Sequence, residues 1–231
     1  MLAYIVRHAE SLRNAGSASS LNSGLTPLGR DQAAALARRL GVIDFTAVYS
    51  SPYERCLQTA SAIVSRSGAE IRIRAELFEC HHLPPGQTVD TDLPPLDVLL
   101  GGWPSVRPCP DGPQEPEWPA LDESANELFA RMRRMATYLQ ARWTGLDDAV
   151  LVVTHGSPAA RLIEAWLLDA PGPSYRFVVD CGTVSAVRYL DGVSSLLCLN
   201  DVSHLAGLPV PGISNYDAGG AFKARRPAGP S

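Results

Sequence analysis

Three short apolar runs most narrowly limit what this chain can become: LAYIV at residues 2–6, FTAVY at 45–49 and AVLVV at 149–153. A strand with one wet face alternates apolar and polar residues, whereas a parallel strand covered on both faces is apolar throughout. Each run is followed by a polar turn and then by apolar residues at helical spacing. Strands alternating with helices in this way specify an α/β fold, a three-layer α/β/α sandwich around a mostly parallel sheet. Near the C-terminus TVSAVRYL and SSLLCLND flank Asp191-Gly192, a two-residue hairpin signal. An antiparallel C-terminal hairpin is therefore expected, which makes the sheet mixed.

Three helix starts are spelled alike. Thr26-Pro27, Ser51-Pro52 and Ser157-Pro158 each put a hydroxyl before a proline, the pairing of an N-cap with the first helical position. Glu54, three residues after Ser51, adds a capping-box signature. The predicted helices run over about 27–40, 52–66, 158–168 and 123–143, the last carrying the stripe Leu128, Met132, Met135 and Leu139.

With 231 residues, 45% of them hydrophobic, the chain can bury one substantial core, and residues 1–205 read as a single domain. Two stretches break the alternation. Residues 80–120 hold ten of the 19 prolines with Trp103 and Trp118 and show no sustained periodicity, which reads as a Pro-rich lid insertion. The tryptophans would pack the lid or wall the substrate. Residues 206–231 are rich in Gly and Pro, end in Lys223, Arg225 and Arg226, and read as a flexible tail.

A formal net charge of −4 excludes a nucleic-acid partner held by a basic field. No apolar run approaches the ~18 residues that cross a bilayer, and the first strand has no basic leader, so a cytoplasmic protein with no membrane contact is expected. Cys56, Cys80, Cys109, Cys181 and Cys198 include no C-x-x-C pair and argue against a disulfide framework or a zinc ribbon. An edge strand at the C-terminal hairpin could pair across a homodimer.

In an open α/β sheet, ligands bind beyond the carboxyl ends of the strands. Arg7 and His8 follow the first strand, His155 follows VLVVT, and Arg55 falls in the first turn of the helix after FTAVY. Guanidinium forks match phosphoryl oxygens and stay charged at any working pH. Positive neighbours disfavour imidazolium, so His8 is expected to be neutral, with a lone pair that can attack phosphorus. This combination points to phosphoryl transfer through a phosphohistidine, with neither metal nor cofactor. The leaving oxygen also needs an acid, and Glu79 and Glu76, in RAELFECHH, both qualify by position.

Cys80, His81 and His82 are adjacent, and adjacent side chains seldom reach one ion together, so no metal site is expected; contact of His81 or His82 with substrate is the better reading. Arg131, Arg133 and Arg134 read as the solvated face of their helix, Arg161 as structural, and His204 as a strand-end hydrogen bonder.

These motifs resemble the histidine phosphatase superfamily, also called phosphoglycerate mutase-like. The family opens with R-H-G-x-S-x-x-N, here Arg7 to Asn14; LTPLGRDQA, the run from Ser51 to Thr59, LFE at 77–79, VVTHGSPAAR and LNDVSHL match its later blocks in order from residue 4 to 205. The resemblance implies that His8 is the phosphorylated nucleophile. It likewise implies that Arg7, Asn14, Arg55, His155 and Gly156 form the phosphate pocket and, through the L-x-E block, that Glu79 rather than Glu76 is the proton donor. Ala9 and Cys56 replace the usual Gly and Ala, and CHHLPPG follows Glu79 where other members carry different continuations, which leaves the substrate open. The expected function is hydrolysis of a small phosphomonoester. A cofactor-dependent phosphoglycerate mutase must hold a bisphosphorylated intermediate, yet residues 80–120 supply only Arg107 as an extra cation. A non-catalytic phospho-ligand-binding module is the remaining alternative.

Overall fold

The computed structural model describes residues 1–80, 93–111, 123–172 and 177–209. In chain order its elements are β1 (Leu2–Arg7), α1 (Pro27–Leu40), β2 (Ala47–Ser50), α2 (Glu54–Val64), β3 (Ile71–Ile73), α3 (Leu96–Gly102), β4 (Val106–Pro108), α4 (Ala125–Arg142), β5 (Ala149–Thr154), α5 (Gly156–Leu167), β6 (Val184–Leu190) and β7 (Val193–Asp201). Two 3₁₀ turns, Ala75–Leu77 and Ser203–Leu205, complete the set.

The strands form one sheet in the order β4-β3-β2-β5-β1-β6-β7. All neighbours are parallel except β1 with β6 and β6 with β7. The unbroken apolar runs are explained by what covers them. Ile5, Tyr49, Val150 and Val152 face one layer, against Met132 and Met135 of α4 and Leu162 of α5. Their neighbours in sequence, Val6, Val48, Leu151 and Val153, face the other layer, against Leu36 of α1 and Leu57 and Ile63 of α2. Each fully buried aliphatic side chain contributes about 1.5–3 kcal/mol, so a polar residue at any of these alternating positions would be costly on either face. At the hairpin, Asp191 and Gly192 both have positive φ (51° and 81°), the conformation that a type I′ turn requires.

The helix starts only partly follow the hydroxyl-proline spelling. Thr26 caps α1, its Oγ1 accepting the Gly29 N–H at 2.9 Å. Ser51 caps nothing: α2 begins at Glu54 with Tyr53 at the N-cap, because Pro52 and Tyr53 are spent turning the chain out of the sheet. The Glu54 N–H is satisfied instead by Asn22 Oδ1 at 2.8 Å. Likewise α5 begins at Gly156 with His155 at its N-cap, so Ser157 and Pro158 lie inside its first turn. Among the described residues, the capping box sits on α4, between Ser124 and Glu127.

Part of the proline-rich stretch is regular. Residues 96–102 form α3, and 106–108 form β4, which extends the sheet by pairing in parallel with β3. Trp103 packs against the apolar layer beneath α1 and α2, which is the packing role. A lid made of 81–92 and 112–120, with His81, His82 and Trp118, lies outside the described residues, as does the tail beyond Pro209. At the opposite edge β7 exposes Val193, Leu197 and Leu199. Among the described residues no helix is long and apolar enough to cross a membrane.

The loop leaving β1 is pinned to the start of α1 by close approach. A Cβ on Gly29 would lie 1.9 Å from the Glu10 carbonyl oxygen, whereas one on Gly101 would meet nothing within 4 Å. Gly29→Ala is therefore expected to lower stability by at least about 1–3 kcal/mol in urea unfolding. Gly101→Ala, in α3, is expected to be neutral or to add up to about 1 kcal/mol.

Candidate active site

Adjacent parallel strands bring the predicted residues to one edge. Arg7 pairs with Thr154 in the sheet, so Arg7, His8 and His155 leave β1 and β5 side by side. The His8 N–H donates to the Thr154 carbonyl at 2.9 Å, and the Ser51 N–H to that of Val153 at 3.0 Å. This anchors the segment that leads to Arg55 on the same edge.

His8 is buried and its protonation is fixed by its neighbours. Its Nδ1 lies 2.7 Å from the Ala9 carbonyl oxygen, which can only accept, so Nδ1 carries the hydrogen. Arg55 Nε donates to His8 Nε2 at 3.2 Å, which requires a lone pair there. Burial, then the charges of Arg55 and Arg7, hold the His8 pKa well below its ordinary value, against the opposing pull of the Ala9 carbonyl. The His8 and His155 rings stand 5.1 Å apart between centroids, inclined at 67°.

The two cations beside His8 are each fixed by a backbone carbonyl. Arg55 donates through Nη1 to the Leu21 carbonyl at 2.5 Å and lies 4.3 Å from the centre of the Tyr53 ring. Arg7 donates through Nη1 to the Val179 carbonyl at 2.6 Å. Its guanidinium packs on Gly156, where a Cβ would come within 3.2 Å of Arg7 Cζ. Glycine at 156 thus admits Arg7 while its own N–H belongs to the first turn of α5, a favourable place for an anion. Asn14 is half-buried on the neighbouring loop, its Oδ1 accepting from the Ser11 N–H at 3.2 Å and the Ser11 hydroxyl at 2.7 Å. That arrangement leaves its Nδ2 as a donor.

His155 is fully buried. Its Nε2 lies 2.7 Å from Ser51 Oγ and its Nδ1 3.8 Å from Glu79 Oε2. Cys56 Sγ approaches the same ring, 3.5 Å from Nε2, but burial pushes the thiol pKa up to about 12, so it stays protonated. Glu79 accepts the Cys80 N–H at 3.0 Å. Burial raises its pKa above the ordinary carboxylate value, with Arg55 and Arg7 pulling the other way. Glu76 is engaged elsewhere, held by both Arg74 Nε (3.1 Å) and Nη2 (2.6 Å). The two carboxylates that spacing alone leaves equal are thus separated by their partners.

Arg131 corrects the reading of its helix face as solvated. It is buried, pairs with Glu123 at 2.5 Å, and donates through Nη1 to the carbonyls of Phe78 (2.9 Å) and Glu76. It therefore fixes the backbone on which Glu79 stands. The signal was its place beside Met132 within the apolar stripe. Ser51 and Tyr53 were missed as well, because the hydroxyl reads as a cap and Tyr53 falls inside the helix predicted over 52–66, where nothing marks it as a site residue. Among the described residues no group of three or more His, Cys, Asp or Glu is placed to hold a metal ion.

A neutral imidazole with a lone pair, flanked by two guanidinium groups and faced by a carboxyl whose pKa is raised, has the parts that phosphoryl transfer needs. Comparison with known proteins points the same way. The profile of the Histidine phosphatase superfamily (branch 1) matches residues 3–202. A Schizosaccharomyces pombe protein named Probable phosphatase C1620.13 is 28% identical over 228 residues, spanning 93% of this chain and 75% of that one. Glucosyl-3-phosphoglycerate phosphatase of Mycolicibacterium vanbaalenii is 30% identical over 190 residues, spanning 80% and 81%. The solved structure of mycobacterial glucosyl-3-phosphoglycerate phosphatase with VO3 superimposes with a TM-score of 0.61 at 25% identity, covering 86% of this chain and 98% of that one.

Removing one partner of a buried pair leaves the other charge uncompensated. Arg131→Met is expected to cost about 3–5 kcal/mol in chemical unfolding, because Glu123 stays buried without its cation. The double change Arg131→Met with Glu123→Leu should recover most of that stability. It should not recover activity, since the Phe78 and Glu76 carbonyls remain without their donor.

Proposed function

Because the chain belongs to the histidine phosphatase superfamily, and is on that ground an enzyme that hydrolyses phosphate esters, we propose that it does so through a phosphohistidine on His8. The supporting observation is the tautomer lock: Nδ1–H is committed to the Ala9 carbonyl and Nε2 presents its lone pair. His8 Nε2 attacks phosphorus in line, forming the N–P bond as the ester P–O bond breaks. Arg7, Arg55, Asn14, His155 and the Gly156 N–H stabilise charge on the non-bridging oxygens. Glu79 gives its proton to the departing alkoxide, then removes one from water, whose oxygen attacks the phosphohistidine and releases phosphate. The reaction uses no metal, since guanidinium groups and the α5 terminus supply the positive field.

Hydrolysis is favoured over mutase chemistry by the surroundings of Arg107. That guanidinium lies on the β4 edge, half-exposed, 3.6 Å from Glu70 and 2.7 Å from the Pro104 carbonyl, and so serves the sheet edge. Among the described residues of the proline-rich stretch it is the only cation. The substrate is proposed to be a small phosphomonoester with one phosphoryl group.

Radiolabelled substrate, quenched during turnover, is expected to leave acid-labile label on His8. His8→Ala should lose the label and fall to about a thousandth of wild-type kcat or lower. Retention of full activity after chelation is expected, and its loss would overturn the metal-free reading.

The pH dependence follows from two opposed shifts. His8 must be neutral, and burial has moved its pKa below 6.5, so activity is lost only as pH falls through that lowered value. Glu79 must be protonated, and burial has moved its pKa above 4.5, so activity declines as pH rises through that raised value. Glu79→Gln should remove the alkaline decline and keep the acid one. It should also slow an alkyl phosphate far more than 4-nitrophenyl phosphate, whose leaving group departs without a proton.

A further inference from the structure

The end of β1 is held from a direction that the phosphate pocket does not involve. Gly182, in the left-handed region at φ 71°, donates its N–H to the carbonyl oxygens of both Arg7 and His8, each at 3.1 Å. Its own carbonyl lies 2.8 Å from His204 Nε2. A carbonyl only accepts, so Nε2 carries the proton and Nδ1 is the acceptor, which Arg39 Nη1 meets at 3.0 Å. Arg39 is itself fixed by the Asp201 carboxylate and by the Ser203 hydroxyl at 3.0 Å. The series from Asp201 through Arg39, His204 and Gly182 ends on the two peptide carbonyls that follow Arg7 and His8.

A second link runs beside it. Gln32, fully buried, accepts the Glu10 N–H at 2.9 Å and donates to the Pro209 carbonyl at 3.0 Å. A Cβ on Gly182 would lie 3.4 Å from Gln32 Cβ, so the two links pack against each other. The segment after β7 thus braces the loop that carries the reacting imidazole.

We propose that His204 is a positioning residue for phosphoryl transfer, holding the exit of β1 through Gly182 so that His8 Nε2 stays aimed into the site. The effect reaches the ring because His8 Nδ1–H is bound to the next residue's carbonyl, so a tilt of this backbone swings the imidazole with it. His204 touches no member of the phosphate pocket; its hydrogen-bond partners among the described residues are Arg39 and Gly182. Burial lowers its pKa, the Gly182 carbonyl raises it and Arg39 lowers it again, while Asp201 pulls upward; the net depression keeps the ring neutral, as the Arg39 bond requires. Asp31 and Arg38 line the adjoining hollow.

The inference rests on His8 being the nucleophile, and the experiment separates the two. Wild type, His204→Ala and His204→Gln are compared with 4-nitrophenyl phosphate and with radiolabelled substrate in single-turnover quench, alongside urea unfolding. His204→Ala is expected to slow phosphohistidine formation and kcat about ten- to hundredfold, the scale of a small misalignment. KM should stay within about twofold, because Arg55, Asn14 and His155 are untouched. Glutamine, whose Nε2 can donate to the same carbonyl, is expected to recover most of the rate. Wild-type kinetics in His204→Ala, or equal slowing of Ala and Gln variants with equal loss of stability, overturns the proposal while leaving the His8 mechanism intact. Failure of the wild type to label His8 overturns both.

Discussion

The site depends on keeping an imidazole neutral between two permanent cations. Protonating His8 would place a third positive charge beside Arg7 and Arg55 in a buried setting, so the protein gains by leaving Nε2 unprotonated. The ring is kept from rotating at both nitrogens, the Ala9 carbonyl holding Nδ1–H at 2.7 Å and Arg55 Nε donating to Nε2 at 3.2 Å. Burial and the two guanidinium groups therefore set the charge, and the Ala9 hydrogen bond sets the tautomer and the direction of the lone pair. The Thr154 carbonyl, the Gly182 N–H and the Gly29 approach to Glu10 can be read as support for that single bond, each fixing a peptide unit next to it.

The sheet order brings His8, Ser51 and His155 together directly at the strand exits. β5 lies between β1 and β2, so the exits of three parallel strands are neighbours even though residues 8, 51 and 155 are far apart in the chain. Because all three strands run the same way, each helix that follows starts at the same edge. α5 begins within one residue of His155, which places the helix terminus and the imidazole against the same space. An antiparallel arrangement would have sent one of these exits to the opposite edge. The hairpin β6-β7 is antiparallel, yet its distal end returns to the site edge through Asp201 and His204.

The parts of this architecture that were legible in the sequence are those set by burial on both faces. LAYIV and AVLVV read as central strands because every residue must satisfy an apolar environment, and Asp191-Gly192 read as a hairpin because few residue pairs adopt two positive φ values. Arg7, His8 and His155 were legible because they interrupt apolar runs at strand ends, and Arg55 because it falls in the first turn of the helix that follows such a run. Less was visible where one chemical group can serve two purposes. Ser51 before Pro52 has the form of a cap, but its hydroxyl is committed to His155, and no local pattern distinguishes the two uses. Arg131 was misread for a related reason: periodicity assigns a charged residue to water unless its partner is known, and Glu123 lies just before the helix. Glu76 lies within the 3₁₀ turn Ala75–Leu77 and Glu79 two residues beyond it, and it is Arg74 that takes Glu76 out of consideration.

Buried arginines in this protein are of two kinds, and the difference bears on what the pocket binds. Arg131 and Arg161 each have a carboxylate of their own, Glu123 and Glu164, as a cation with a structural task requires. Arg55 is surrounded differently: a carbonyl oxygen, an imidazole nitrogen and an aromatic face solvate its charge without cancelling it, and the carboxyl whose charge acts on it is Glu79, whose raised pKa weakens it as a counter-ion. Solvating a cation with dipoles leaves its field available to a ligand, whereas pairing it with an anion closes the field locally. A dianionic phosphoryl group would therefore act as a missing counter-ion rather than as a competitor for one. In the proposed mechanism its arrival would raise the proton affinity of the carboxyl it faces and so would keep Glu79 protonated when the leaving oxygen needs that proton. The same dianion would be drawn toward the guanidinium groups and not toward the neutral imidazole, so that the Arg55 donor, which meets Nε2 at 3.2 Å, would turn to the phosphoryl oxygens and release the lone pair for attack.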